Sequence, residues 1–228
     1  MNSALKDTGV KATAIKVDIW SDIACPWCYI GKRRFEAGVA SFDGDVDVEY
    51  HSYELTPDAP VDFVGTVTDY LAEKKGMSTE QVTAMFQAVI EIAAGEGLHY
   101  DYESVTHTNT VKAHQVLHLA KAHGVQTELQ ERLFQAYFEQ GAHVGHDDVL
   151  ADLAADVGLD RAEVLRSLAE NEYLAAVRAD QARAREYGIQ TVPFFVLDGK
   201  YGISGAQEAA TFTQALNQVV ADRETATA

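Results

Sequence analysis

Cys25 and Cys28 are the only cysteines in a chain of 228 residues, and they stand within one short word, Ala24-Cys25-Pro26-Trp27-Cys28-Tyr29. Before it, Ile15-Lys16-Val17-Asp18-Ile19-Trp20 is mostly β-branched or aromatic and predicts a short strand, with Ser21 to Ala24 as the loop beyond its carboxyl end. After it, Tyr29 to Ala40 reads as a helix. Pro26 suits the opening turn of that helix, where its missing N–H has no intrahelical partner to lose and its fixed φ is already helical. Cys25 is thereby predicted at a helix N-terminus, where unsatisfied N–H groups and the helix dipole favour a thiolate. Cys28 falls one turn further on, on the same face, and can pair with Cys25 without backbone movement.

Several kinds of site use such a pair. A structural disulfide here closes a loop of four residues and restricts the unfolded chain little. A zinc site needs four ligands, so His143 and His146 would have to be recruited. Two inert core thiols leave the proline and the strand-loop-helix setting unexplained. Thiol–disulfide exchange uses every part: the outer sulfur attacks and the inner one resolves.

Further along, Val46 to Tyr53 alternates like a strand, and Glu54 to Pro60, with prolines at 57 and 60, leaves the sheet. From about Thr66 to Gly188 there is no proline, only successive helical periods. Ser78 with Gln81 forms a capping box for a helix to about Ala94. Helices then open at Asn109 and Thr127, span Asp147 to Val157, start behind Asp160 with Glu163, and run from Asn171 to Tyr187, with glycines as stops. Thr191 to Leu197 is again β-type, Asp198-Gly199-Lys200 is a hairpin turn, and Tyr201 to Ile203 returns. Ser204 with Gln207 is placed to cap a last helix to about Ala221. One sheet interrupted by an insertion follows. Residues 15–65 and 186–222 form a discontinuous α/β domain, 66–185 an inserted all-helical domain, and 1–14 and 223–228 flexible ends.

Eighteen lysines and arginines stand against 35 acids, a formal charge of −17, which disfavours nucleic acid and anionic membrane as partners. Lys32, Arg33 and Arg34 follow the cysteines and either offset that field locally or form a solvated helix face. No apolar run reaches membrane-spanning length. Met1 to Ala14 lacks the apolar core of a secretory signal, so a cytoplasmic protein is expected.

Motif and topology together resemble the thioredoxin-fold family of DsbA-type oxidoreductases, in which a helical domain is inserted after the first βαβ unit. Cys25-Pro26-Trp27-Cys28 is similar to the redox motif, and Thr191-Val192-Pro193 to the cis-proline loop. The words Val17 to Asp22, Tyr29 to Arg33, and Asn109-Thr110 with Ala113-His114 resemble the cytoplasmic FrnE-like subgroup. The resemblance implies a protein disulfide oxidoreductase or isomerase. In it Cys25 and Cys28 are catalytic, Pro193 is cis beside them, and Pro26, Trp27 and the Val192 backbone meet substrate. The helix starting at Asn109, with His114, roofs the site. Partners are protein or small-molecule thiols and disulfides. Some FrnE-like proteins carry a second cysteine pair; this chain has none, so an external reductant or oxidant recycles the site. No bound cofactor is needed, with glutathione at most a cosubstrate, and no metal is expected. The alternative is a glutathione-binding transferase or hydroxychromene-carboxylate-type isomerase on the same plan, although those relatives use serine where Cys25 stands.

Asp18, a carboxylate inside an apolar strand, is a candidate proton relay for Cys28. It lies seven positions before Cys25, whereas thioredoxin-like proteins usually place their buried acid six before, so a strand-end or solvent-facing Asp18 is the competing reading. Asp22 reads as a loop cap. His114 and His118, four apart, read as a packed or surface pair without a third metal ligand. His51, His99, His107 and His123 carry no signal. Trp27 is expected exposed beside the sulfurs, and Trp20, Tyr29 and Phe35 in the core.

Overall fold

The structure is a computed structural model and describes residues 14–227; the expectation for 1–13 lies outside the described residues. Its centre is β1 (Ile15–Ser21), in a four-stranded sheet of order β2-β1-β3-β4. The crossover helix α1 (Pro26–Ala40) brings β2 (Val46–Ser52) parallel to β1, in register from Ile15 opposite Val46 to Ser21 opposite Ser52. On the other side β3 (Phe194–Leu197) runs antiparallel to β1, and β4 (Tyr201–Ser204) closes the sheet as a hairpin partner of β3. α9 (Ala209–Thr227) packs along α1.

Between β2 and β3 the chain is helical: α2 (Val67–Lys75), α3 (Thr79–Gly95), α4 (Val111–Ala122), α5 (Gln126–Glu139), α6 (Asp147–Ala155), α7 (Arg161–Ala169) and α8 (Leu174–Glu186). This is a thioredoxin fold with a helical insertion. α3 starts at the expected Ser78–Gln81 capping box, and Asp160 accepts from the Glu163 N–H ahead of α7. α2 is a helix that the sequence reading did not separate. Its capping box pairs Thr66 with Asp69, a shorter acid than the Glu or Gln of the usual pattern. β3 begins one residue after Pro193, later than expected, because Thr191 to Pro193 form a bend. Ser204 ends β4 and does not cap α9; the Gln207 amide instead donates to the Ser204 carbonyl at 2.8 Å. α9 also continues to Thr227 rather than fraying beyond Ala221, since 221–227 contain neither glycine nor proline.

The period of two along β1 divides the core. Ile15, Val17 and Ile19 pack with Phe35 of α1 and Phe212, Leu216 and Val219 of α9. Trp20 joins a second, larger cluster with the helical insertion, and Ile23, Cys25, Cys28, Tyr29 and Ile30 belong to it as well. The start of α1 thus sits where the sheet layer meets the insertion.

Candidate active site

Cys25 is the N-cap residue of α1, with extended backbone (φ −93°, ψ 112°), and Pro26 opens the helix. The sulfur thus stands at the positive end of the helix dipole, although its side chain makes no capping hydrogen bond to the first N–H groups. The preceding loop is tied down by Asp22. Its carbonyl accepts from the Cys25 N–H at 3.1 Å, and its carboxylate from the N–H groups of Ala24 (3.3 Å) and Leu55 (2.7 Å). Burial opposes ionisation of Asp22, but His114, Leu55 and Thr110 together outweigh it and hold its carboxyl below the ordinary range. Asp22 is the expected loop cap.

Cys28 lies one turn into α1, and both thiols are free. Burial first, and then Cys25, push the Cys28 thiol well above its ordinary range, so it keeps its proton at neutral pH. Across the join, the Cys25 thiol donates to the Val192 carbonyl at 3.6 Å. The Val192–Pro193 peptide bond is cis. α1 meets Pro193 through Gly31, where an added Cβ would come within 2.8 Å of Pro193 Cγ. Cys25, Pro193 and the turn carrying Cys28 are therefore one packed unit.

Beside Cys25 lies a cavity of about 760 Å³, bordered by Cys25, Pro26, Trp27 and Val192 from the sheet layer and by α2, α3 and the 102–107 loop from the insertion. Trp27 is 38% exposed at its edge, while Trp20, Tyr29 and Phe35 are buried.

Other expectations change. Asp18 is buried, but on the β1 face opposite Ile19, pointing away from α1. Its oxygens meet His51 (2.8 Å), Lys16 (3.4 Å) and Arg183 (3.8 Å), so it does not relay a proton for Cys28. The odd spacing from Cys25 explains this, because one residue of offset along a strand reverses the side chain. Asn109 does not border the cavity. It accepts from the Val111 N–H (2.9 Å) at the start of α4 and donates to the Pro57 carbonyl (3.1 Å). His114 is buried with Nε2 3.5 Å from Asp22 Oδ1, behind the loop rather than above the sulfurs. His143 and His146 stack at 3.7 Å and face Asp62 Oδ1 at 3.4 and 2.7 Å, and so form no group with the cysteines. Lys32, Arg33 and Arg34 are neither a solvated face nor free to offset the field. Lys32 and Arg33 pair with Glu36 and Glu131, and Arg34 with Glu96 and Glu208.

His51, silent in the sequence, is the hub of a buried network. Nε2 faces Asp18 Oδ1 and Nδ1 faces Asp180 Oδ1, each at 2.8 Å, while its ring stacks on Trp20 at 4.5 Å. Asp180 also accepts from the Ser52 N–H (2.8 Å) and meets His118 (3.0 Å). The partners are 129 residues apart, so only the fold reveals them.

A cysteine pair opening the first helix, set against a cis-proline before the third strand and roofed by an inserted helical layer, defines a thioredoxin-fold protein of the DsbA type. Residues 16–217 match the DSBA-like thioredoxin domain family, and the chain belongs to it. A probable DsbA oxidoreductase from Streptomyces coelicolor is 44% identical and superposes with a TM-score of 0.83, covering 90% of this chain and 89% of that one. YwbO, an uncharacterised protein of Bacillus subtilis, is 30% identical over 205 residues, 89% of this chain and 96% of the relative. A cytosolic disulfide reductase, DsbM from Pseudomonas aeruginosa solved with GSH, shares the fold at a TM-score of 0.64 and 16% identity, covering 90% of this chain and 98% of that one. No helix among the described residues is long and apolar enough to cross a membrane.

Proposed function

We propose that the protein is a thiol–disulfide oxidoreductase in which Cys25 attacks and Cys28 resolves. The carrying observation is the placement of Cys25 at the start of α1, on the wall of a cavity, with the Val192 carbonyl at 3.6 Å and a protonated Cys28 one turn behind it. The Cys25 thiolate bonds to one sulfur of a substrate disulfide, the substrate S–S bond breaks, and the departing thiolate takes a proton. Cys28 then loses its proton and attacks Cys25, expelling the second substrate thiol and leaving the pair oxidised. Two electrons pass to the substrate, and an external dithiol restores the pair; the reverse sequence oxidises a substrate dithiol.

Pro26 and Trp27 border the route to the sulfur, and the Val192 backbone beside it pairs with an extended substrate. Asn109 and His114 act by positioning, one at the start of α4 and the other behind Asp22. The FrnE-like words noted in the sequence support a cytoplasmic setting.

The test is reduction of insulin by dithiothreitol with the protein as catalyst. Cys25→Ser should abolish the catalysed rate, and Cys28→Ser should accumulate mixed disulfides through Cys25, visible by non-reducing mass spectrometry. Turnover that survives Cys25→Ser would overturn the assignment.

A further inference from the structure

Building on the exchange reading above, we propose that the cavity beside Cys25 is a subsite for small aromatic disulfides and thiols that carry a carboxylate. Its walls include Tyr70, Phe86, Val89, Tyr102 and Phe138, and its size lies within the range of about 300–1,000 Å³ typical of small-molecule sites. Trp27 and Tyr137 add further rings to an otherwise aliphatic lining, and these flat faces can stack on a planar apolar body.

His107 and Tyr102, which both border the cavity, each carry a polar atom with no partner in the protein. His107 Nε2 and Tyr102 Oη are both buried and make no hydrogen bond. Each such group costs roughly 1–3 kcal/mol when left unmade, so their retention points to a ligand that satisfies them. Neither can turn away freely. The His107 ring stacks on Tyr70 at 3.6 Å, and Tyr102 stacks on Phe86 at 3.9 Å with an interplanar angle of 7°. Burial holds the His107 pKa at about 4, so near pH 7 its ring is neutral and offers a hydrogen bond without a charge. Tyr102 and Cys25 border the same cavity.

Charge supplies the other end. Lys74 and Lys75 both border the cavity. Lys74 is paired with Asp58 at 3.1 Å, whereas Lys75 makes no ion pair among the described residues. In a chain of net charge −17, an unpaired lysine at the edge of an aromatic cavity singles out an anionic group on the ligand. The chemistry remains the exchange already described: Cys25 bonds to one sulfur of the aromatic disulfide, one aromatic thiol leaves with a proton, and Cys28 releases the second.

The test uses the reduced full-length chain and two disulfides, 2,2′-dithiodibenzoate and 2-hydroxyethyl disulfide. The rate constant for each is divided by that of glutathione with the same disulfide, so that intrinsic reactivity cancels. The ratio should favour the aromatic acid by about tenfold, the equivalent of 1.4 kcal/mol. Tyr102→Phe, which keeps the stack, and Lys75→Glu should each lower that ratio by about three- to fivefold. Ala88→Trp, at an exposed position of α3 on the cavity wall, should lower it by about tenfold, with circular dichroism confirming the fold. Binding is read without chemistry by 1-anilinonaphthalene-8-sulfonate fluorescence on Cys25→Ser, and Ala88→Trp should weaken it as well. Exchange with both disulfides but no preference, or a preference unmoved by all three variants, overturns the subsite and leaves the oxidoreductase intact. Probe binding that responds to Ala88→Trp, with exchange on neither disulfide, overturns the oxidoreductase reading instead.

Discussion

His51 stands between Asp18 and Asp180, 2.8 Å from a carboxylate oxygen of each, on the face of the sheet that α8 covers. Burial works against every charge in this group, yet the hydrogen bonds between them outweigh it. His51 is raised above 6.5, and Asp18 and Asp180 are lowered below 3.8. The contribution of His51 to stability is complete below pH 6.5 and is lost as pH rises through its raised pKa. That of the two acids is complete above pH 3.8 and is lost as pH falls through their depressed pKa values. Stability from this network is therefore greatest between those limits. Urea midpoints should decline from pH 6.5 upward in the wild type. His51→Gln should be less stable by about 3 kcal/mol and should lack that decline, because it leaves buried carboxylates without their cation. Equal pH slopes in both proteins would refute the charged triad.

Glu131 binds α5 to α1. It accepts from Tyr29 Oη at 2.7 Å, pairs with buried Lys32 at 2.6 Å and pairs with Arg33. Hydrogen bonding to Arg33, Lys32 and Tyr29 overcomes the burial of Glu131 and lowers its pKa. Glu131→Gln should destabilise the protein by about 2–3 kcal/mol, since it removes one of two acids holding a buried ammonium. Lys32→Met removes that buried charge together with its desolvation cost, and should lose clearly less by chemical denaturation. A larger loss from Lys32→Met than from Glu131→Gln contradicts this account.

Two helical glycines should respond in opposite directions. At Gly38 an added Cβ meets the Ala209 carbonyl and Phe212 Cβ, both at 2.7 Å, because α9 crosses α1 there. Gly38→Ala should separate the two helices and destabilise by about 1–3 kcal/mol. At Gly95, in the last turn of α3, a Cβ meets nothing within 4 Å. Gly95→Ala should stabilise by about 0.5–1 kcal/mol through helix propensity and lower unfolded-state entropy. Thermal melts of the two variants check both signs.

Legibility in the sequence followed the range of each interaction. The start of α1, the Ser78 and Asp160 caps and the Asp198–Lys200 turn are set by residues within about one turn of each other, and local spacing found them. α2 escaped because its Thr66–Asp69 box departs from the common pattern. The role of Asp18 needed the face of β1 on which it lies. The partner of His51 arrives from α8, and the unpartnered atoms of His107 and Tyr102 gain meaning only once α2, α3 and the 102–107 loop enclose a space. The charge run at Lys32 to Arg34 left a local offset and a solvated face both open until Glu131 of α5, Glu96 after α3 and Glu208 before α9 arrived as its partners.

Cys28 should behave as a thiol that does not ionise until its partner is spent. Its pKa is raised chiefly by burial and only secondarily by Cys25, so Cys25→Ala should leave most of the elevation in place. In native protein at pH 8, iodoacetamide should alkylate Cys25, which borders the cavity, while Cys28 stays unmodified in both the wild type and Cys25→Ala. In urea both thiols should react at the rate of an ordinary cysteine, and peptide mass spectrometry distinguishes the sites. Rapid native alkylation of Cys28 would mean that its proton is lost before any mixed disulfide forms. The order of attack proposed for the pair would then be reversed. Protection of Cys28 in the folded chain alone keeps Cys25 as the attacking sulfur, because both are buried but only Cys25 borders the cavity by which a substrate can arrive.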